Sequence, residues 1–271
     1  MISQSSQIRR HTHQADGLQI EIYTDPNDLG RAAAQQVVTQ LKQALQHQDT
    51  ATIIFATGRS QLGPLNYLRH DRTVDWSRVI GLHLDEFLGL SSQHPASFGH
   101  YLQQHIAQWL PFQAFHYLYG DALEPIQECD RYTNLLSQNP IDLCLLGVGN
   151  NGHLAFNDPA VADFEDPRWV KLVRLDEANR QQQLTSEYFS QLEDVPTHAL
   201  TLTLSAIQSA RHTLCCIFGT SKAKILRTLL TVPPSTACPA SMLRLGSDGQ
   251  HRLLADQAAC SLLNTESILS S

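Results

Sequence analysis

The sequence predicts a single α/β domain: one doubly wound, largely parallel sheet with helices on both faces. Three observations carry this. Short apolar runs alternate with longer stretches of helical period, the pattern of parallel strands joined by crossover helices. The chain has 271 residues and a 42% hydrophobic composition, enough for one large domain with a sizeable core. No internal repeat, low-complexity segment or Gly/Ser/Pro-rich linker divides it, so one domain over 1–271 is expected, with an ordered core at about 18–258 and ragged ends.

The elements follow in order. "LQIEIYT" (18–24) reads as a strand, and "DPNDLGRAAAQQVVTQLKQAL" as the helix after it. Asp25 is the expected N-cap, Pro26 suits the first helical position, and Asp28 lies in the first turn. "TIIFA" (52–56) is a buried strand running into "TGRSQLG", and "RVIGLHL" (78–84) is another running into "DEFLGL". "IDLCLLG" (141–147) ends in "GVGNNGHLAFNDP", and "WVKLVRLDE" is strand-like. "HTLCCIFG" (212–219) leads into "TSKAKILRTLL", which opens a helix.

Composition narrows the function classes. The net charge is −7 and no Lys/Arg block exceeds two residues, which argues against nucleic-acid and anionic-membrane partners. The six cysteines sit mostly in apolar runs without C-x-x-C spacing, so reduced thiols and a cytoplasmic location are expected. The opening "MISQSSQIRRHTHQADG" lacks an apolar h-region, and no apolar run approaches roughly 18 residues, so no membrane span is expected. Among thirteen histidines, His83, His94, His100 and His198 have no partner at metal-ligand spacing. The H-x-H of His11 and His13 lies apart from the strand ends, and no metal is expected.

Four strands end by delivering polar residues: Thr57-Gly58-Arg59-Ser60, Asp85-Glu86, Asn150-Asn151-Gly152-His153 and Thr220-Ser221-Lys222. In an open parallel sheet the carboxyl ends share one edge, where ligands bind, so the four clusters are expected to be neighbours. Gly147, Gly149 and Gly152 spell G-x-G-x-x-G, but "HLAFNDPAVADFEDP" follows, with two prolines and no helical period. A dinucleotide loop needs a helix there to hold the pyrophosphate, so these glycines are expected to turn the backbone and present His153.

Thr57, Gly58 and Ser60, between a strand and a helix, can grip one phosphate through free N–H groups and hydroxyls; a plain strand-to-helix turn gives the same pattern. Lys222 in a first helical turn opposes the helix dipole, which a bound anion would offset. Asp85 and Glu86 point to opposite strand faces, so one enters the crevice as a candidate base and the other holds structure. His153, with Asn151 and Asp158 nearby, reads as a proton shuttle or as a satisfied structural histidine.

Taken together, "TGRS", "LDEFLGL" with "HPASF", "GVGNNGHLAFNDP", "DVPTHALTLTL", "GTSKAK" and "TACPAS" resemble, in this order, the glucosamine-6-phosphate deaminase (isomerase) family. That family shares a modified Rossmann-like fold with the 6-phosphogluconolactonases. The resemblance spans about 18–254, and "GHLAFNDP" and "LDEFLGL" are of the deaminase type. It implies conversion of glucosamine 6-phosphate, or a close hexosamine 6-phosphate, to fructose 6-phosphate and ammonia, without metal or organic cofactor. His153 would open the sugar ring, tuned by Asn151 and Asp158, and Asp85 would take the C2 proton. Thr57, Gly58, Arg59, Ser60, Glu86, Gly152, Arg180 and Lys222 would bind the sugar phosphate. Homo-oligomeric assembly is compatible with the resemblance.

Three departures stand out: Asn151 where some deaminases have aspartate, Asp158 where the family usually has glutamate, and Gln183 where a phosphate-binding arginine is expected. Arg180, one turn earlier, or Arg59 are the candidate replacements. Two rival readings use the same fold. One is a lactonase with His153 as base and Asp85 idle. The other is a non-catalytic sugar-phosphate sensor, for which the short stretch ahead of Leu18 leaves no room for a helix-turn-helix.

Overall fold

A computed structural model describes residues 10–184 and 188–263. The strands in chain order are β1 (Arg10–Ala15), β2 (Leu18–Tyr23), β3 (Ala51–Phe55), β4 (Val79–His83), β5 (Asp85–Phe87), β6 (Ala114–His116), β7 (Leu143–Gly147), β8 (Val170–Arg174), β9 (His198–Leu202), β10 (His212–Ile217) and β11 (His251–Asp256). The α-helices are α1 (Pro26–His47), α2 (Arg59–Leu68), α3 (Phe98–Leu102), α4 (Pro125–Gln138), α5 (Glu177–Gln183), α6 (Leu204–Gln208) and α7 (Ala223–Thr231).

Eight strands form the main sheet in the order β1-β2-β11-β10-β7-β3-β4-β6. Every pairing is parallel except β1 with β2. The central strands are apolar throughout because both faces are covered. Ile54, Cys144, Leu146 and Cys215 face a layer that includes Tyr132 and Leu136 of α4 and Leu226 and Leu229 of α7. Their neighbours Ile53, Phe55, Leu145 and Cys216 face the other layer, with Ala33, Val37 and Leu41 of α1 and Leu65 of α2. That alternation is the doubly wound α/β architecture read from the sequence. The Asp25 carboxylate caps α1, accepting from the N–H groups of Asn27 and Asp28.

Two features depart from the sequence reading. β1 begins at Arg10, ahead of Leu18, and pairs antiparallel with β2 along the sheet edge. Asp85 and Glu86 do not end a strand. β4 stops at His83, and Leu84 joins two sheets, its N–H donating to Phe55 O and its carbonyl accepting from Leu202 N. Asp85 then opens β5 in a smaller antiparallel sheet, ordered β5-β9-β8. The chain exchanges one partner for another within two residues, a tertiary event that no local pattern encodes.

Among the described residues, no helix is long and apolar enough to cross a membrane. No group of three His, Cys, Asp or Glu there could hold a metal ion.

Candidate active site

The carboxyl ends of β3, β7 and β10 bring three of the sequence clusters to one edge. A Cβ built on Gly147, at the end of β7, would lie 2.9 Å from Ser60 Oγ, so the first loop packs directly on the third. Gln61 Nε2 also donates to Leu146 O at 3.0 Å. Lys222 Nζ donates to Val148 O at 2.8 Å and to Asn150 Oδ1 at 2.7 Å, tying the β10 loop to the same glycine-rich turn. An ammonium has three donors, so one remains for a ligand. Burial lowers the Lys222 pKa, opposed by the nearby Cys215.

Two strand-to-helix junctions share one backbone device. Gly58 (φ 93°) precedes α2, and Gly219 (φ 86°) precedes the short turn that leads into α7. A Cβ at either would meet nothing within 4 Å, so glycine is needed there for its dihedral and not for space. No side chain caps α2; Gln61 N donates to Gly58 O, which leaves the N–H groups of Arg59 and Ser60 for an anion beside Thr57. Arg59 is exposed and, with Ser60, Asp25, Pro26 and Phe218, lines a cleft of about 490 Å³.

The 147–158 segment is built around His153. Gly149 carries the ring: a Cβ there would fall 2.1 Å from Cε1, 2.2 Å from Nε2 and 2.3 Å from Nδ1 of His153. Gly152 has φ 89°, and its carbonyl accepts from Ala240 N, docking the segment on the 235–241 turn. Asn157 Nδ2 donates to Leu154 O and Leu202 O, and Phe156 N donates to Thr201 Oγ1. Thr201 pairs with Asp85 across β9 and β5, so the histidine loop and Asp85 share one support.

A directed relay results. His153 Nδ1 lies 2.7 Å from Asn151 Oδ1 and 3.1 Å from Asp158 Oδ1. Asn151 Nδ2 donates to Asp158 Oδ1 at 2.8 Å, and its Oδ1 accepts the His153 backbone N–H. The amide orientation is thereby fixed, and both neighbours of Nδ1 are acceptors. In the neutral ring Nδ1 therefore carries the proton, which leaves Nε2 as the acceptor. Burial pushes the Asp158 pKa up, but bonds from His153, Asn151 and Asn179 outweigh it and hold the group below its ordinary value.

Asp85 is the opposite case. It is 7% exposed, and no side-chain hydrogen bond to it is found among the described residues. Burial, then the adjacent charge of Glu86, raise its carboxyl well above the usual carboxylate range. A largely buried carboxyl without a side-chain donor to hold it ionised is the arrangement expected of a proton acceptor.

Glu86 was expected among the substrate-binding residues, and the structure directs it elsewhere. Its Oε2 accepts from Ser97 Oγ (2.7 Å) and Gly99 N (2.8 Å), its Oε1 from Phe98 N (3.0 Å) and Phe87 N (2.9 Å). The carboxylate is fully engaged at the start of α3. Glu86→Ala should cost about 3 kcal/mol of stability by orphaning these donors. A urea-unfolding midpoint that stays put would contradict this role.

Arg180 is likewise engaged away from the phosphate loop. Its Nη2 donates to Leu192 O at 2.5 Å and Val195 O at 2.9 Å, clamping α5 to the chain that follows it. Gln183 closes α5. Asn179 was overlooked in the sequence: 3% exposed, it donates through Nδ2 to both oxygens of Asp158, at 3.1 and 2.9 Å. An asparagine ahead of a run of glutamines was its only local signal.

This geometry can be set beside known proteins. A family model described as glucosamine-6-phosphate isomerases/6-phosphogluconolactonase matches residues 24–253. The chain belongs to that family. Within the isomerase/lactonase family it is 37% identical to the glucosamine-6-phosphate deaminase of Exiguobacterium sibiricum, over 83% of this chain and 87% of that protein. It is similar to the solved structure of a monomeric glucosamine-6-phosphate deaminase, with a TM-score of 0.81 and 30% identity over 90% of this chain and 99% of that one. A 6-phosphogluconolactonase from Shewanella baltica shares the fold at a TM-score of 0.73 and 20% identity, over 91% of this chain and 100% of that one.

Proposed function

We propose that the protein deaminates and isomerises a hexosamine 6-phosphate, most directly glucosamine 6-phosphate, to fructose 6-phosphate and ammonia. The observation that carries this is the pairing of two unlike proton carriers on one support: a relay with a free Nε2 at His153, and a buried, unpartnered carboxyl at Asp85. A lactonase needs a base for water and has no task for a second, desolvated acid. The deaminase names and the higher identity of those relatives favour the same reading.

The chemistry follows from the groups. His153 Nε2 takes the O1 proton of the pyranose, and the imidazolium returns a proton to O5 as the C1–O5 bond breaks. Asp85 then removes the C2 proton while the substrate's C2 ammonium passes a proton to O1, giving an enolamine, and Asp85 delivers its proton to C1. The resulting C2 imine adds water and loses ammonia. Thr57, Gly58, Ser60 and Lys222 hold the phosphate, with Arg59 as the cation nearest the first loop. Gly152 shapes the turn beside the sugar. Binding energy from the phosphate, remote from C1 and C2, fixes the reacting carbons in place.

Lys222→Ala should weaken substrate binding by roughly 1.5–3 kcal/mol, the scale of a charge-assisted hydrogen bond. Inorganic phosphate should compete against the native protein and far less against the variant. Equal inhibition of both would move the phosphate elsewhere. The activity itself is tested by supplying glucosamine, galactosamine and mannosamine 6-phosphates, and separately 6-phosphogluconolactone. Ammonia and fructose 6-phosphate in equal amounts are expected from the first of these. Lactone hydrolysis without ammonia release would overturn the proposal.

A further inference from the structure

Asp158 carries more donors than a partner for His153 needs. Its Oδ1 accepts from His153, Asn151 and Asn179, and among the described residues Oδ2 accepts from Asn179 alone, at 2.9 Å. Asn179 comes from a different element, α5, whose start is pinned by Asp176 Oδ1 accepting from Asn179 N at 2.6 Å. Its own Oδ1 is buried without a hydrogen-bond partner. A buried orphan acceptor costs free energy, so the side chain is held where it is by what its Nδ2 does.

We propose that Asn179 is a positioning residue that couples α5 to the proton relay: its amide sets how strongly Asp158 attracts the imidazole proton of His153. The functional meaning rests on the deaminase reading above. While Nδ2 bridges both Asp158 oxygens, it neutralises part of their charge and fixes Oδ1 toward Nδ1. Without that amide, Asp158 loses two contacts and attracts the Nδ1 proton more strongly. The imidazolium is then favoured and Nε2 is less often the free base. The relay is therefore set for proton acceptance only with the Asn179 amide in place.

Other charges around the relay do not provide this adjustment. Lys222, at the β10–α7 junction, is tied to Val148 and Asn150, and Lys171 on β8 is paired with Asp166 at 2.9 Å. Arg180 is engaged with backbone carbonyls, Asp176 accepts from Asn179 N, and Glu177 is exposed on α5. Asp85 on β5 belongs to the other proton carrier. None of these groups is altered by changing residue 179.

The test is the titration of the His153 imidazole in the full chain without substrate, followed by its Cε1 proton resonance. The resonance is assigned by its loss in His153→Gln. In Asn179→Ala the midpoint should move upward by about 0.3–1 pH unit, the scale of one or two lost hydrogen bonds to a charged group. In the near-isosteric Asn179→Asp, which adds charge beside Asp158, it should move further in the same direction. The acid limb of kcat/KM should follow in both variants. A midpoint unchanged in both, with only thermal stability lowered, would make Asn179 a packing residue and overturn the proposal, as would a downward shift. Absence of ammonia release by the native protein would instead overturn the deaminase reading, and the resonance would still report the coupling.

Discussion

Replacing Asp85 with Asn is expected to lower turnover by at least about a hundredfold while leaving sugar-phosphate binding nearly intact, because size and polarity are kept and basicity is lost. The same change should stabilise the unliganded protein. Burial and the Glu86 charge raise the Asp85 pKa in the folded state. A carboxyl raised on folding contributes stability that is fully present below its unfolded pKa, near 3.9, and is lost as pH rises through the folded one. At neutral pH the folded protein therefore bears a penalty that Asn cannot incur. Each kcal/mol recovered should raise Tm by roughly 2–4 °C for a chain of this size. The pH profile provides a second sign: the base works only when deprotonated, so activity should fall with decreasing pH well above the ordinary carboxylate range. A variant that is both less active and less stable would show that Asp85 is a structural acid.

Gly149→Ala should cost turnover about as much as deleting the imidazole, on the order of a hundredfold. The new methyl would stand 2.1–2.3 Å from three ring atoms of His153, and the ring must leave Asn151 and Asp158 to make room. Gly149 is not among the glycines with positive φ, so the backbone accepts alanine and the fold should persist. The loss should appear in kcat, with phosphate competition unchanged. Combining it with His153→Gln should add little, since both remove one function. Activity within about threefold of native in Gly149→Ala would remove the ring from the reaction.

What the sequence disclosed follows from what local patterns encode. β2, β3, β4, β7 and β10 were visible as apolar runs, and α1 through its Asp25-Pro26 start, because burial on both faces and capping leave marks within a few residues. The dinucleotide reading of 147–152 could be set aside from sequence for the same reason: no helical period follows Gly152, and the structure has no helix between β7 and β8. Of the small sheet only β8 was visible, in the strand-like "WVKLVRLDE"; the sheet itself was not, since β5 is three residues long and pairs with β9 more than a hundred positions away. Glu86 looked like a ligand-binding residue because a charge at a strand end reads alike whether it meets substrate or backbone, and Arg180 because it lies one turn before Gln183, where the resemblance leads one to expect an arginine. Their engagement with the start of α3 and with Leu192 and Val195 is tertiary. Asn179 was missed because its importance lies in Asp158, 21 positions earlier.

The reading turns on one carboxyl serving C1 and C2 from one face of the sugar. Fructose 6-phosphate, incubated with the protein and ammonium in heavy water, reports that directly by proton NMR. A single fixed base should exchange one of the two C1 hydrogens for deuterium and leave the other untouched, and the exchange should vanish in Asp85→Asn. Loss of both C1 hydrogens, or exchange at the native rate in the Asp85→Asn variant, would contradict it.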